Sequence, residues 1–147
     1  MPTFATLAAE EIFATFPEWR LHSRDEQAED GSKYVFVDVP APAEANTSHG
    51  LTINTVNEEI TVSFDFYHSH FDRWNVREAG YEYEAALPFV QSLLEEVVAV
   101  ASWWNEDKWA GSCQVLAGEA PLMPVVKDYS HVRVRSWHGT LNADSDA

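Results

Sequence analysis

The chain is poor in basic residues and in cysteine, and each shortage excludes a class of protein. Nine lysines and arginines stand against 24 aspartates and glutamates, so the 147 residues carry a formal net charge of −15. Nucleic-acid binding and attachment to an anionic membrane both need a basic surface, so we expect neither. The only cysteine, Cys113, leaves no internal disulfide, which fits a reducing compartment.

Signals for export and for membrane insertion are also missing. The first residues, MPTFATLAAEEIFATF, have no basic region, and acids interrupt the apolar positions, unlike in a signal peptide. No apolar run approaches the roughly 18–20 residues that a membrane-spanning helix needs. We therefore expect a cytoplasmic protein. What the chain does contain is 46% hydrophobic and 13% aromatic residues, enough for one folded core.

The spacing of the apolar residues predicts an α+β fold with the element order αβββ-αβββ. Two helices are predicted, over residues 3–16 with Thr3 as N-cap and over 84–96 with Pro88 tolerated only in a first turn. The predicted strands are 33–39, 51–56, 59–70, 97–104, 108–116 and 131–137. Because most connections are short, neighbouring strands should form one antiparallel sheet of five or six strands, with the helices on one face. We expect a single domain over 1–138 and a flexible acidic tail over 139–147.

The stretch TVSFDFYHSHFDRW contains three metal-ligand residues at alternate positions, His68, His70 and Asp72. In one continuous strand these side chains share a face with the apolar positions before them, which would place both histidines at the margin of the core. Imidazole and carboxylate groups suit zinc or another transition metal. The stretch resembles the HxHxDH motif of metallo-β-lactamase-fold hydrolases over five positions, but the closing histidine of that motif is missing. The alternative is that the histidines are polar residues that close a sheet edge.

Other sequence signatures of catalysis are absent. The sequence contains no P-loop, dinucleotide fingerprint, GxSxG or HExxH motif. A lone cysteine in an apolar strand is usually a packed small hydrophobe, so we do not expect Cys113 to be a nucleophile. We therefore expect a protein that is not an enzyme and that has no cofactor.

Aromatic and acidic residues cluster in the second half of the chain and suggest a contact surface. Trp103, Trp104 and Trp109 lie in one predicted hairpin, and successive residues of a strand point to opposite faces. Between residues 78 and 107 there are seven acids and no lysine or arginine. An acidic loop rich in tyrosine can complement a basic groove, although a solvated acidic face and a carbohydrate-binding or small-ligand module that uses the tryptophans are alternatives.

Three blocks of the sequence, TVSFDFYHSHFDRW, VVAVASWWNEDKWAGS and VRVRSWHGT, resemble blocks of small acidic immunity proteins from bacterial polymorphic-toxin and contact-dependent inhibition systems. The resemblance implies a cytoplasmic protein that neutralises a toxin domain by binding it. The partner would be a basic protein, such as a nuclease domain. From charge and aromatic content we expect the contact residues to be Asp72, Trp74, Glu78, Tyr81, Glu82, Tyr83 and Glu84.

Overall fold

The protein has an α+β fold built around two antiparallel sheets. The computed structural model describes residues 3–71, 82–120 and 129–146, with no side-chain detail for 82–85. In chain order the elements are α1 (Phe4–Thr15), β1 (Ser23–Gln27), β2 (Lys33–Val39), β3 (Leu51–Asn54), β4 (Ile60–Phe64), β5 (Tyr67–Phe71), α2 (Glu82–Leu94), β6 (Val98–Asn105), β7 (Lys108–Leu116), β8 (His131–Arg135) and β9 (Ala143–Asp146). The described residues group into two compact units, one within Met1–Pro40, Gly50–Ser63 and His68–Val90, the other within Ala41–His49, Phe64–Tyr67 and Gln91–Ala147.

The first sheet has five strands in the spatial order β1-β2-β3-β4-β5, so each strand neighbours the next one along the chain. β1 pairs with β2 from Ser23 opposite Val37 onward, and β2 pairs with β3. Alternation of apolar and polar residues buries one set of side chains. The buried members of β2, β3 and β4 include Val37, Val39, Leu51, Ile53, Ile60 and Val62.

The first predicted helix is present as α1 and packs against β2. Thr3 is its N-cap, because the Thr3 hydroxyl accepts the backbone N–H of Thr6 at 3.2 Å. The buried face consists of Ala8, Ile12 and Phe13, which lie at helical spacing. The α-helix stops just before Pro17, which begins a short 3-10 helix.

The second sheet has four strands in the order β7-β6-β8-β9. β6 and β7 form the predicted hairpin, joined by a turn at Glu106 and Asp107. Their register shifts between Trp103 and Trp104, which marks a β-bulge. One face of this sheet holds a cluster of Ala101, Val115 and Val132, and half-buried Trp103, Cys113, Tyr129 and Val134 pack against it. Cys113 is therefore a packed side chain, as the sequence predicts.

The single sheet and the element order αβββ-αβββ predicted from the sequence are wrong, because the nine strands of the described residues form two sheets. β1 lies outside the strands predicted from the sequence, and β9 lies within the predicted tail. Both are edge strands, and most or all of their side chains are at least partly exposed. An edge strand with both faces in solvent has no apolar alternation, so the sequence pattern that identifies buried strands cannot detect it.

The second helix begins earlier than predicted and runs through its proline. α2 covers Glu82–Leu94, so Pro88 lies inside the helix and not in its first turn. A proline in a helix removes one backbone hydrogen bond and crowds the preceding turn. The buried residues Ala86, Val90 and Leu93 lie on both sides of Pro88 at helical spacing, and their burial offsets this cost.

Candidate functional site

The histidine stretch is not one continuous strand, so the predicted placement of His68 and His70 beside the core is wrong. The chain reverses at Asp65 and Phe66, between β4 and β5. Asp65 adopts a left-handed conformation with φ of 52°, which aspartate tolerates better than most residues. Its buried carboxylate accepts the backbone N–H of Ser48 at 2.9 Å. This reversal places both histidines on β5, where they are exposed.

On β5 the two histidines are neighbours and one of them has local partners. The rings of His68 and His70 are 5.0 Å apart between centroids and nearly perpendicular. Nδ1 of His70 lies 2.8 Å from the Thr61 hydroxyl and 3.0 Å from Oε1 of Glu59. The contact with Glu59 becomes an ion pair only when His70 is protonated. These contacts are typical of polar residues that close a sheet edge. That is the alternative to a metal site that the sequence left open.

The third predicted ligand, Asp72, lies outside the described residues. Within 3–71, 82–120 and 129–146, no group of three or more histidine, cysteine, aspartate or glutamate side chains has a geometry suited to a metal ion. Two neighbouring imidazoles remain as ligands of the right type. The metal site therefore stays a prediction that depends on a ligand beyond β5.

Most of the predicted contact residues also lie outside the described part of the chain. This applies to Asp72, Trp74, Glu78 and Tyr81. Glu82, Tyr83 and Glu84 are the first residues of α2, so they begin a helix and do not continue the predicted loop.

The three tryptophans of the β6–β7 hairpin differ in solvent exposure. Trp104 is 8% exposed, Trp103 is half-buried and Trp109 is 48% exposed. Trp103 lies across Gly111, where a β-carbon would be 2.6 Å from the indole ring, so only glycine fits beneath it. Trp104 pairs with Trp109 in the strand register, and the two therefore point to the same face. Trp109 is the one that remains available for contact.

A packed set of side chains holds Trp104 in place and supports Trp109. The Trp104 ring meets Phe66 edge-to-face at 4.6 Å, and its Nε1 donates to the Ser102 hydroxyl at 2.9 Å. The Arg133 guanidinium lies 4.8 Å from the centre of the same ring. Phe66 in turn stacks on Trp109 at 6.4 Å. The exposed indole of Trp109 therefore packs against Phe66, which in turn contacts Trp104.

The acids beside Trp109 are exposed and their backbone is fixed. Glu106 and Asp107 form the turn and are both exposed. Glu106 is left-handed, with φ of 57°, and its N–H donates to the Ser130 hydroxyl at 2.8 Å. We call Glu106, Asp107 and Trp109 the hairpin tip. The sequence placed acids and tryptophans in this hairpin, but it did not show which indole is exposed.

The sequence missed a buried arginine that ties two strands together. The Arg135 side chain is 6% exposed, and it donates to both carboxylate oxygens of Asp144 at 2.7 and 3.4 Å. Its Nε donates to the backbone carbonyl of Asn46 at 3.0 Å. The hydrogen bond from Arg135 and the nearby positive charges lower the pKa of Asp144, although partial burial opposes the shift. No local signal could reveal this pair, because Asp144 lies in the predicted tail.

Comparison with known proteins gives no relative: no family model, curated protein or solved structure matches this chain. The helices in the described part of the chain lack the combined length and apolarity of a membrane crossing. The resemblance to immunity proteins therefore stays a prediction.

Proposed function

We propose that this protein is a cytoplasmic bacterial immunity protein that neutralises a basic toxin domain by direct binding, without catalysis of its own. The observation that carries the proposal is the hairpin tip. There a tryptophan that is 48% exposed lies beside two exposed carboxylates, in a chain with a net charge of −15.

The hairpin tip has the properties of a binding hot spot. Tryptophan is among the residues that contribute most binding energy at protein interfaces, particularly when it fills a pocket on the partner. Phe66 stacks on Trp109 and is itself packed against Trp104, so the Trp109 side chain is already restricted and loses little freedom on binding.

The charge of the chain supports a basic partner. Carboxylates around an aromatic anchor steer a positively charged protein into the encounter and pair with its lysines and arginines. The proposed surface also includes the acidic aromatic segment predicted from the sequence. Its residues are Asp72, Trp74, Glu78, Tyr81, Glu82, Tyr83 and Glu84.

Binding to the C-terminal toxin domain encoded by the neighbouring gene tests the proposal. Trp109→Ala should weaken binding about 30-fold, the loss of a hot spot of ~2 kcal/mol. Leu21→Ala is the matched control, because Leu21 is 90% exposed and apolar but lies far from the hairpin in sequence. The proposal would be abandoned if no toxin domain bound the wild-type protein, and the hairpin tip would lose its role if both variants bound equally well.

The acidic segment has its own test. Reversing Glu82 and Glu84 to lysine should slow association with the toxin domain, because rim charges act mainly on the association rate. An unchanged rate would remove these two residues from the interface while leaving the hairpin tip in place.

A metal-binding protein or metal-dependent hydrolase is the second candidate, and the neighbouring rings of His68 and His70 favour it. Protein purified without a histidine tag should then contain metal in stoichiometric amount, and zinc, nickel or manganese should raise the melting temperature. His68→Ala should abolish that rise. Metal-free protein that shows no shift with any of the three ions would eliminate this candidate.

A further inference from the structure

Among the described strands, β7 forms one edge of the four-stranded sheet, with β6 as its neighbour. At nine residues it is also the longest strand in the described part of the chain. A strand at a sheet edge presents a row of backbone N–H and C=O groups that can pair with another extended chain.

The register shows which groups of β7 point outward. The N–H of Ala117 donates to the carbonyl of Val97 at 2.9 Å, and pairs along an antiparallel ladder alternate between hydrogen-bonded and non-hydrogen-bonded. Val115 and Cys113, two and four residues before Ala117, therefore direct their backbone groups to β6. The backbone groups of Ser112, Gln114 and Leu116 point away from β6, and among them the Leu116 carbonyl accepts the N–H of Glu119 at 3.0 Å.

Charge distinguishes this edge from the edge strands β1 and β9. β1 carries Asp25 and Glu26, and β9 carries Asp144 and Asp146. Charged side chains on an edge strand discourage pairing with other chains. From Gly111 to Leu116, β7 has no charged residue, although the protein as a whole is strongly acidic.

The end of this edge also has room for a side chain. A cleft of about 350 Å³ lies there, lined by Val98, Gln114, Val115, Leu116, Glu119 and Ala120. Most of its lining is apolar, and Leu116 is 51% exposed. Glu119 contributes an exposed carboxylate. An apolar side chain fits the cleft, and a lysine or arginine beside it would pair with Glu119.

We propose that the Ser112–Leu116 edge of β7 accepts an extended segment of the basic protein partner as an additional strand. The N–H and C=O groups of Ser112 and Gln114 and the N–H of Leu116 provide the pairing, and the cleft selects a segment in which apolar and basic residues alternate. This inference rests on the proposed function for the positive charge of the partner. A second copy of this chain is a poor occupant, because two copies each carry a net charge of −15.

Amide hydrogen exchange tests the pairing, with a synthetic peptide of alternating valine and lysine as the probe. In the free protein, the amides of Cys113 and Val115 should exchange slowly, and those of Ser112, Gln114 and Leu116 quickly. Saturating peptide should slow exchange at these three outward amides at least tenfold. The same peptide N-methylated at alternate amides should have no effect, and one with glutamate in place of lysine should bind at least tenfold more weakly.

Two results would overturn the proposal. One is exchange that is already slow at the three outward amides without peptide, or that slows only as the protein concentration rises, which would mean that the edge is occupied or that copies pair with each other. The other is peptide binding that leaves these amides unchanged.

Gln114→Pro provides a test of the partner itself. Proline removes the outward N–H of residue 114 and leaves the ladder to β6 intact, which edge strands tolerate. It should weaken binding of the toxin domain at least tenfold, whereas Gln114→Thr, which keeps the N–H, should not. Should Gln114→Pro fail to fold, the N-methylated peptide decides alone. If Trp109→Ala weakens toxin binding and a folded Gln114→Pro does not, the edge proposal fails while the proposed function stands.

Discussion

At the scale of single residues, Arg135 is the clearest stabilising contact outside the apolar core. A buried guanidinium is costly unless its N–H groups are paired. Here the carbonyls of Asn46 and Val134 and the carboxylate of Asp144 accept its hydrogen bonds. Because Asp144 is 64% exposed, solvent screens the charge part of the interaction, and its hydrogen bonds matter more.

Asp144→Asn should therefore destabilise the protein by only about 1 kcal/mol, the value of a hydrogen bond to a charged group after screening. The matched control is Asp146→Asn, an exposed acid on the same strand, which should change stability by less than about 0.5 kcal/mol. Urea unfolding of the two variants measures the difference. Equal free energies of unfolding would show that the Arg135 contact contributes nothing specific.

The loss of stability caused by Asp144→Asn should depend on pH. The folded-state pKa of Asp144 is lowered by the hydrogen bond from Arg135, so its contribution is complete above the unfolded pKa of about 3.9. It is lost as the pH falls through the lower, folded-state pKa. We expect the difference between wild type and Asp144→Asn to be constant near neutral pH and to disappear in acid. A difference that persisted at the lowest pH would contradict the assignment.

Glu96 is a second carboxylate held in its charged form. Partial burial acts to raise its pKa, but hydrogen bonds from Ser136 and Thr140 outweigh burial and lower it. The backbone N–H of Thr140 donates to Oε2 of Glu96 at 3.1 Å. The sign is the same as for Asp144, so acid weakens this contact too.

At the scale of elements, the turn between β4 and β5 decides where the histidines lie. Asp65 fills two requirements there, a left-handed backbone and a buried acceptor for the Ser48 N–H. An asparagine satisfies both, whereas most residues satisfy neither.

Asp65→Ala should lower the free energy of unfolding by about 2–3 kcal/mol, because it adds backbone strain and leaves the Ser48 N–H without its acceptor. Asp65→Asn should stay within about 0.5 kcal/mol of wild type, because it keeps the acceptor oxygen and the backbone preference. Thermal and urea unfolding measure both. If the two substitutions had the same effect, neither requirement would govern the turn.

At the scale of the whole molecule, net charge affects folding and binding in opposite directions. A charge of −15 repels itself in the compact state, and added salt screens that repulsion. The same salt screens attraction to a basic partner.

Raising the ionic strength from about 0.05 M to about 0.5 M, where the screening length shrinks severalfold, should therefore raise the melting temperature and slow toxin association at least tenfold. Calorimetry and stopped-flow kinetics on the same samples measure the two effects. An association rate that did not depend on salt would indicate that the partner is not basic or that binding avoids the acidic surface.

Local patterns in the sequence were enough for some elements. The apolar stripe of Ala8, Ile12 and Phe13, which follows the N-cap Thr3, predicted α1. The β-branched and aromatic residues on both sides of Glu106 and Asp107 predicted the β6–β7 hairpin. In both cases the interacting residues are close along the chain, so their spacing carries the information.

The sequence alone thus determined the α+β class, the acidic charge and these local elements. Only the tertiary structure decided that two sheets form, that Asp65 turns the chain and that Trp109 is the exposed indole. Strand pairing joins residues that are distant in the sequence, such as Val37 with Ile53 between β2 and β3 and Ala101 with Val134 between β6 and β8. Alternation of apolar residues shows which face of a strand is buried, but it does not show which strands become neighbours.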